Sequence, residues 1–489
     1  MSQTKEKMDG TDELARLQQR MDEEIGELIG TGNTSDTRLR QDLRSFQQMF
    51  NRFAAERDQK KDWDNVTAVT KEQMLGYSTL EVPGEQDYID TLKKIAVVKL
   101  NGGLSTTMGC DGPKSLVEVK DGKTFLDLIV DQIERVNKRA GASVPLLLMS
   151  SFHTAEDTRE ELRKYRDRKI DIRVFEQSKM PRIHADTLMP LPRTCGDKKE
   201  MWYPPGHADL LPSLKRTGML DSLLAEGREY IFVSNTDNLG AVLDDRILAH
   251  IIKTQKDFTM EVTEKTKADI KGGTLVNYNG RTTLLEVAQV PKKNLQEFYS
   301  SPKFKVFNTN NLWISLRAAE SVLEKEELSL GIIVNRKTLP GGGEKVIQLE
   351  TAIGAAISLF SDTEGIIVPR TRFLPVKDCC DLLPIQSNLY TVENGHLTKN
   401  PERKSGEMPK IRLGPGYKKM EKYAQCFEEV PDMLDLDTLV VDGNVSFGKN
   451  TKLSGTVLIC ADKDSKIDIP SGSHLADKIV TGNLSIKDF

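Results

Sequence analysis

Four groups of residues carry side chains of the kind that does chemistry. The segment Leu100-Asn-Gly-Gly-Leu-Ser-Thr-Thr-Met-Gly-Cys-Asp-Gly-Pro-Lys114-Ser115 holds four glycines, several hydroxyls and a single lysine. Glycine reaches conformations and close approaches denied to other residues, so such a loop can turn its N–H groups inward as an anion nest, with phosphate the natural guest. Its spacing is neither G-x-x-x-x-G-K-S/T nor G-x-G-x-x-G, and Pro113 disfavours a helical entry at Lys114, so a P-loop and a dinucleotide fingerprint are both excluded. Ser234-Asn235-Thr236-Asp237-Asn238 follows an apolar run and offers a carboxylate that suits a helix cap or a ligand site at the carboxyl end of a strand equally well. Gly206-His207 follows two prolines, as a structural turn or a ligand loop would, and Lys377 ends the run RFLPVK. The six cysteines (110, 195, 379, 380, 426 and 460) show no C-x-x-C, and the six histidines show no H-E-x-x-H. A zinc site and a disulfide framework are therefore not expected, and the free thiols fit a reducing, cytoplasmic setting.

The elements that must position these groups follow from periodicity. Residues 95–385 alternate short apolar runs with amphipathic stretches, the pattern of a mostly parallel sheet covered on both faces. The expected strands are Ile95–Leu100, Pro145–Met149, Ile172–Phe175, Tyr230–Val233, Phe258–Val262 and Gly365–Val368, with a helix over Phe125–Arg139 giving a βαβ start. Residues 1–94 read as a helical N-terminal arm, two helices broken at GTGNTSD (30–36) and then an approach segment containing Pro83 and Gly84. In residues 386–489 the run Val441-Asp-Gly-Asn-Val445-Ser-Phe447 recurs as Leu453–Ile459 and as Val480–Ile486, and Phe447–Leu453 is echoed by Ile469–Leu475. Apolar residues separated by Gly or Asn at short intervals, with no helical period, predict a small β-solenoid rather than a plain antiparallel domain.

Composition sets the outer bounds. The chain has 489 residues and a net charge of −4, from 69 Lys+Arg against 73 Asp+Glu. That length suits about two to four domains. The charge balance gives no broad basic face for nucleic acid or an anionic membrane, so phosphate binding must be local. Apolar stretches such as Val144–Met149 fall far short of the ~20 residues of a spanning helix, and MSQTKEKMDGTDE lacks the apolar core of a secretory signal. No membrane and no nucleic-acid partner are expected.

LNGG-x-x-T-x-MGC-x-GPKS after a strand resembles the nucleotide-binding loop of the eukaryotic UTP-glucose-1-phosphate uridylyltransferases, also called UDP-glucose pyrophosphorylases. The resemblance continues in order through FEQSKMPRI (175–183), YPPGHADL (203–210), FVSNTDNLGA (232–241), KADIKGGTL (267–275), LLEVAQVP (284–291), FNTNNLWI (307–314), VIQLETAIGAAI (346–357) and VPRTRFLPVK (368–377). It implies an α/β fold with a Rossmann-like, mostly parallel mixed sheet of the nucleotide-diphospho-sugar transferase type, followed by a C-terminal left-handed β-helix. It also implies uridylyl transfer from UTP to glucose 1-phosphate, with Lys114 and Lys377 as catalytic cations and Asp237 holding Mg²⁺. Leu100, Asn101, Gly102, Gly103, Met149, Gln177, Gly206 and His207 would bind the nucleotide. Asn235, Gly273, Glu286, Asn308 and Asn310 would bind the sugar phosphate, and the solenoid edge would form a homo-oligomer. A UDP-sugar or UDP-N-acetylhexosamine pyrophosphorylase and a catalytically silent scaffold are the competing readings. The contiguous GCDGPKS and FNTNNLW blocks favour the glucose family.

A phosphate oxygen of the sugar phosphate is already the nucleophile, because a second pKa near ~6 leaves it largely dianionic. No general base is needed, which accounts for the missing Ser-His-Asp or Cys-His set. Five positions depart from the resembled pattern. Ser105 replaces a glycine and is expected to place a Cβ beside the nucleotide path. Ala208 stands where glycine is common, Arg336 where proline is usual, and Cys379-Cys380 replace a Thr/Ser-rich turn.

Overall fold

Alternating burial along the apolar runs decides the architecture. In Ile95–Asn101, for example, Ala96 and Val98 pack on one side of the strand while Ile95 and Val97 pack on the other, as a strand covered on both faces requires. The structure is a computed structural model that describes residues 2–32, 36–56, 62–70, 72–266, 272–300, 303–325, 329–339, 343–393 and 395–482. Residues 33–35 of the expected helix break, 267–271 of the KADIKGGTL block and 483–486 of the last repeat lie outside the described residues.

The central sheet has eight strands: β1 (Met74–Gly76), β2 (Ile95–Asn101), β3 (Leu146–Ser150), β4 (Ile172–Glu176), β5 (Tyr230–Asn235), β6 (Phe258–Glu264), β7 (Val306–Ser315) and β8 (Thr363–Ile367). Their order is β1-β8-β6-β7-β5-β2-β3-β4. Only the pairings of β7 with β5 and with β6 are antiparallel, so the expected mostly parallel, mixed sheet is present. All six expected strands are found, within a few residues of their expected bounds. Two further strands were not expected. β7 carries Asn308-Thr-Asn-Asn311, and Asn is depleted in strands, so its polar centre hides the strand in the sequence. β1 is a three-residue edge strand, and it brings part of the expected 1–94 arm into the sheet.

The arm itself is a pair of helices, α1 (Ser2–Gly30) and α2 (Thr37–Glu56). Met21, Ile25 and Leu28 meet Leu43, Phe46 and Phe50, and the same cluster takes in Met180, Trp202, Tyr203, Ile347 and Leu349 of the main body. Helix α3 (Phe125–Ala140) starts at a capping box, in which Thr124 Oγ1 accepts from Asp127 N and Asp127 Oδ2 accepts from Thr124 N. It ends at Gly141, φ 59°, and covers one face of the sheet with Leu126, Ile129, Val130 and Ile133.

The C-terminal part begins with helix α4 (Cys379–Gln386) and a hairpin, Tyr390–Glu393 with His396–Lys399. It continues as parallel strands β9 (Lys410–Leu413), β10 (Leu436–Asp442), β11 (Asn444–Phe447), β12 (Lys452–Cys460), β13 (Lys466–Ile469) and β14 (His474–Thr481). The strands β9-β10-β12-β14 form one sheet and β11-β13 a second. The expected solenoid pattern of stacked parallel coils is thus present in residues 410–481, whereas the hairpin before it is antiparallel. The register corrects one of the two repeats. Phe447 pairs with Ile469 and Leu453 with Leu475, as the echo predicts. Val441, however, pairs with Ile459, which pairs with Val480, so Val441–Phe447 does not stack on Leu453–Ile459. The cause lies in Gly455. Gly443 (φ 79°) turns the chain from one sheet to the other, but Gly455 (φ 62°) sits inside β12 at a register shift against β14.

Candidate active site

The carboxyl ends of β2, β3 and β5 open onto a cleft of about 470 Å³. Open α/β sheets bind ligands at such strand ends. Leu100, Gly102, Gly103, Lys114, Met149, Gln177, Gly206, His207, Asn235 and Asp237 all line it. The structure therefore gathers residues separated by more than a hundred positions, as expected.

Asn101 is the exception among the nucleotide residues. Its side chain is 1% exposed and donates to Ser150 Oγ (3.2 Å) and Thr158 Oγ1 (2.9 Å), so it braces the loop from beneath instead of facing the cleft. Ser105 also departs from expectation. It is fully buried inside the loop, its N–H donates to Gly112 O at 3.2 Å, and its carbonyl accepts from Met108 and Cys110. Its Cβ therefore does not intrude on the nucleotide path. The other departures from the resembled pattern are equally remote: Ala208 is buried in apolar core, and Arg336 projects from the face of its strand opposite Lys337. Burial pushes the Cys379 thiol up to about 12 and the Cys380 thiol up to about 11, so neither is a thiolate at neutral pH.

At the end where phosphate is expected, Lys114 Nζ lies 2.7 Å from Asp237 Oδ2 and Lys377 Nζ lies 3.4 Å from the same oxygen. Asp237 Oδ1 is buried and has no hydrogen-bond partner among the described residues. The loop that carries Lys377 is zipped to the loop that carries Asp237: Val376 N donates to Asp237 O at 3.0 Å, and Leu374 N donates to Asn238 Oδ1 at 2.9 Å. Gly240 is required there, since a Cβ would run into the Thr371 and Arg372 backbone. Beneath both loops, Lys99 Nζ donates to Ser234 Oγ and Ala241 O, each at 2.8 Å, and Arg372 forms a two-point pair with Glu261 at 2.7 and 2.6 Å. Burial, helped by the Arg372 charge, pulls the Lys99 ammonium down to about 7.

At the end where the base is expected, the Gln177 amide lies directly over Gly102, where any side chain would overlap it. Gly206 has φ 89°, and a Cβ there would come within 2.6 Å of Thr351 O. His207 Nδ1 accepts from Ile353 N at 3.0 Å, which leaves Nε2–H as the donor. Burial and then the Lys377 charge push this imidazole down to about 4, so it is neutral across the physiological range.

The expected sugar residues form an adjoining group. β6 and β7 lose register between Glu261 and Val262, and Asn310 takes φ 58° in the extra turn. Asn accepts that left-handed conformation more readily than most residues. The bulge lets Asn308 Oδ1 accept from Asn310 N (2.8 Å) and Asn310 Nδ2 donate to Asn235 Oδ1 (2.9 Å), while Asn310 Oδ1 is buried without a hydrogen-bond partner among the described residues. Asn308 N donates to Gly273 O at 3.0 Å, and the Glu286 carboxylate lies against Gly273, where a Cβ would be 2.5 Å from Oε1. Burial raises the Glu286 pKa.

The cleft also holds residues not singled out from the sequence: His153, Arg182, Lys337, Gln348 and Glu350. Arg182 and Lys337 add two cations to the two expected lysines. Lys99 could have been found as a charged residue inside an apolar strand, whereas Arg182 and Lys337 carry no such signal.

The sequence profile of the UTP-glucose-1-phosphate uridylyltransferases matches residues 43–454. A probable UTP-glucose-1-phosphate uridylyltransferase of Schizosaccharomyces pombe is 48% identical over 454 residues, covering 92% of this chain and 89% of the relative. The UTP-glucose-1-phosphate uridylyltransferase of Hordeum vulgare is 48% identical over 441 residues, 89% of this chain and 92% of the relative. Among solved structures, a UDP-glucose phosphorylase from Trypanosoma brucei superposes with TM-score 0.79 at 36% identity, covering 90% of this chain and 96% of its own. The UDP-glucose pyrophosphorylase from Leishmania major superposes with TM-score 0.80 at 33% identity, covering 94% and 99%.

Proposed function

Because the chain belongs to the UTP-glucose-1-phosphate uridylyltransferase family, we propose that its cleft transfers the uridylyl group of UTP to glucose 1-phosphate with release of pyrophosphate. The observation that carries the site assignment is the convergence of Lys114 and Lys377 on one oxygen of Asp237 at the carboxyl edge of the sheet. Gln177 over Gly102 reads the uracil edge, because an amide offers a donor and an acceptor together. Met149 and Leu100 supply apolar walls for the base, and His207 Nε2–H donates to a phosphate oxygen. Asn235, Asn308, Asn310, Gly273 and Glu286 meet the sugar hydroxyls and phosphate with neutral dipoles and one carboxylate. Asn310 Oδ1, without a hydrogen-bond partner among the described residues, is an acceptor for a sugar hydroxyl.

Asp237 also fits Mg²⁺, since its Oδ1 is a buried carboxylate oxygen without a hydrogen-bond partner among the described residues. Mg²⁺ is commonly held by one or two carboxylates plus phosphates and water. When bound, it would neutralise charge between the phosphates. The chain's own contribution is positioning and cations. The glycine loop and Lys114 hold the β- and γ-phosphates that leave. Lys377, 61% exposed and weakly tied to Asp237, bridges the attacking sugar phosphate and the α-phosphate. Charge builds at the α-phosphorus as the bond forms, so these cations act more strongly in the transition state than in the ground state. Pyrophosphate release from UTP, CTP, ATP and dTTP against a panel of sugar 1-phosphates tests the reading. Turnover is expected with UTP and glucose 1-phosphate; preference for another sugar would favour the wider UDP-sugar reading, and silence with every pair would favour a scaffold.

The coils of residues 410–481 are proposed to wind as a left-handed β-helix and, through the edge of β14, to join copies of this chain. Ile479 on that strand is 72% exposed, and an open strand edge is a ready template for pairing. Gel filtration of Ile479→Asp should show a smaller species than the parent chain; an unchanged elution volume would discard that edge. Six free thiols suit the cytoplasm, and no described helix is long and apolar enough to cross a membrane.

A further inference from the structure

Helix α2 does more than cover an apolar face. Strand β4 ends at Glu176, and the next residues carry the Gln177 amide into the cleft. Their backbone is held at five points. Gln177 N donates to Ser150 O (2.9 Å), Glu176 O accepts from Arg216 Nη2 (3.0 Å), and Ser178 N donates to Asp209 Oδ2 (2.6 Å). The other two points come from α2: Arg38 Nη2 donates to Gln177 O at 3.2 Å, and Lys179 N donates to Asp42 Oδ2 at 2.9 Å. Arg38 and Asp42 are one helical turn apart, so a single face of α2 reaches both sides of Gln177.

Asp42 is 2% exposed, with Arg216 Nη1 3.3 Å from its Oδ1. Burying a carboxylate is costly unless it is paired and hydrogen-bonded, and a helix serving only as a lid would gain more from an apolar residue there. Burial does raise the Asp42 pKa, against the lowering effects of Arg216 and the Lys179 N–H. Arg38 in turn keeps its guanidinium on a backbone carbonyl and on Glu176 Oε2 at 3.3 Å, although its side chain is 44% exposed.

We propose that Arg38 and Asp42 are positioning residues for base selection: they fix the backbone of residues 177–179 so that the Gln177 amide meets uracil at one height and in one orientation. The N-terminal helix pair thereby takes part in choosing UTP over CTP. This inference rests on the reading that Gln177 faces the base, and the experiment separates the two.

Steady-state constants for UTP, CTP and glucose 1-phosphate would be measured for the full-length chain and for Gln177→Leu, Arg38→Ala, Arg38→Lys, Asp42→Ala and Asp42→Ala combined with Gln177→Leu. Gln177→Leu should collapse the UTP/CTP preference. Arg38→Ala and Asp42→Ala should each raise the UTP KM and lower that preference by about tenfold, the scale expected for a small misplacement. The glucose 1-phosphate KM should stay within about twofold. Arg38→Lys should recover part of the loss, and Asp42→Ala should add nothing once Gln177 is leucine. Should Asp42→Ala fail to fold, Arg38→Ala, at a half-exposed site, keeps the test available. If Gln177→Leu destroys the preference while the helix variants leave it intact, or lower kcat and raise both KM values together, α2 is only structural and the inference falls. If Gln177→Leu itself leaves the preference unchanged, the base reading falls and the inference with it.

Discussion

The phosphate end of the cleft and its base and sugar ends rest on different cores. Met108 and Val117 flank the glycine loop and Val376 and Cys379 flank Lys377; all four are buried in one cluster with Val441, Phe447, Val457 and Ile459 of the C-terminal coils. Met149, Phe175, Ala208, Leu275, Leu284 and Ile353 lie beside the recognition residues and belong to a cluster under the central sheet. The two ends also differ in kind. At the phosphate end, charged groups share a single carboxylate oxygen and can exchange partners when anions arrive. At the other ends, the Gln177 amide and the Glu286 carboxylate are pressed against Gly102 and Gly273, with no room for a Cβ. On the proposed roles, selection would rest on fixed side chains and rate on charges that can be redistributed, a division suited to a reaction whose barrier is anionic crowding.

That contrast can be broken in graded steps. Stripping divalent cations should abolish turnover at the phosphate end, and adding Mg²⁺ should restore it; full activity in EDTA would remove Asp237 from the metal role. Lys377→Ala should cost about 10²–10³ in kcat with little change in UTP KM, whereas Lys114→Ala should lose both affinity and rate. An unaltered kcat for Lys377→Ala would contradict its bridging role. At the base end, Gly206→Ala should destabilise the protein by about 1–3 kcal/mol, because the left-handed backbone and the Thr351 carbonyl both oppose a side chain. A melting temperature equal to that of the parent would show that this turn has slack. At the sugar end, Asn310→Ala should melt lower than Asn310→Gly by about 1 kcal/mol, since only glycine is free of the φ penalty. Both variants should raise the glucose 1-phosphate KM, and equal melting curves would speak against a strained bulge.

A further effect concerns pH. The folded His207 pKa is pushed down to about 4 from the ordinary 6.5. As pH falls through 6.5 the unfolded chain binds a proton that the folded chain refuses, so stability is lost between pH 6.5 and 4, and above that window the residue contributes no slope. His207→Asn should flatten the acid limb of a melting-temperature profile while leaving the limb above pH 6.5 parallel to the parent. A parent profile with the same acid slope as the variant would place the histidine in solvent.

Regular apolar runs made the sheet legible: six strands and α3 follow from alternation and caps that involve neighbouring residues. What was hidden depends on partners far away. β7 is a strand because β5 and β6 satisfy its backbone, in spite of four consecutive polar residues. Asn101 looks like a ligand residue until Ser150 and Thr158 are seen to accept from its buried Nδ2. Gly455 matches Gly443 in local sequence, yet one lies within a strand and the other at a corner, because the register is set by neighbouring coils. The resemblance identified the residues that line the cleft, whereas Arg182 and Lys337 join it only through tertiary placement.

Every residue assigned to binding or catalysis lies at or before position 377, but the seat of two of them is made last. Val376 and Cys379 find their neighbours in coils synthesised some sixty to a hundred residues later. A nascent or truncated chain can therefore possess the whole set of reactive side chains and still lack a working enzyme. Damage near the carboxyl terminus is expected to silence the chain by misplacing a lysine, with no catalytic residue lost.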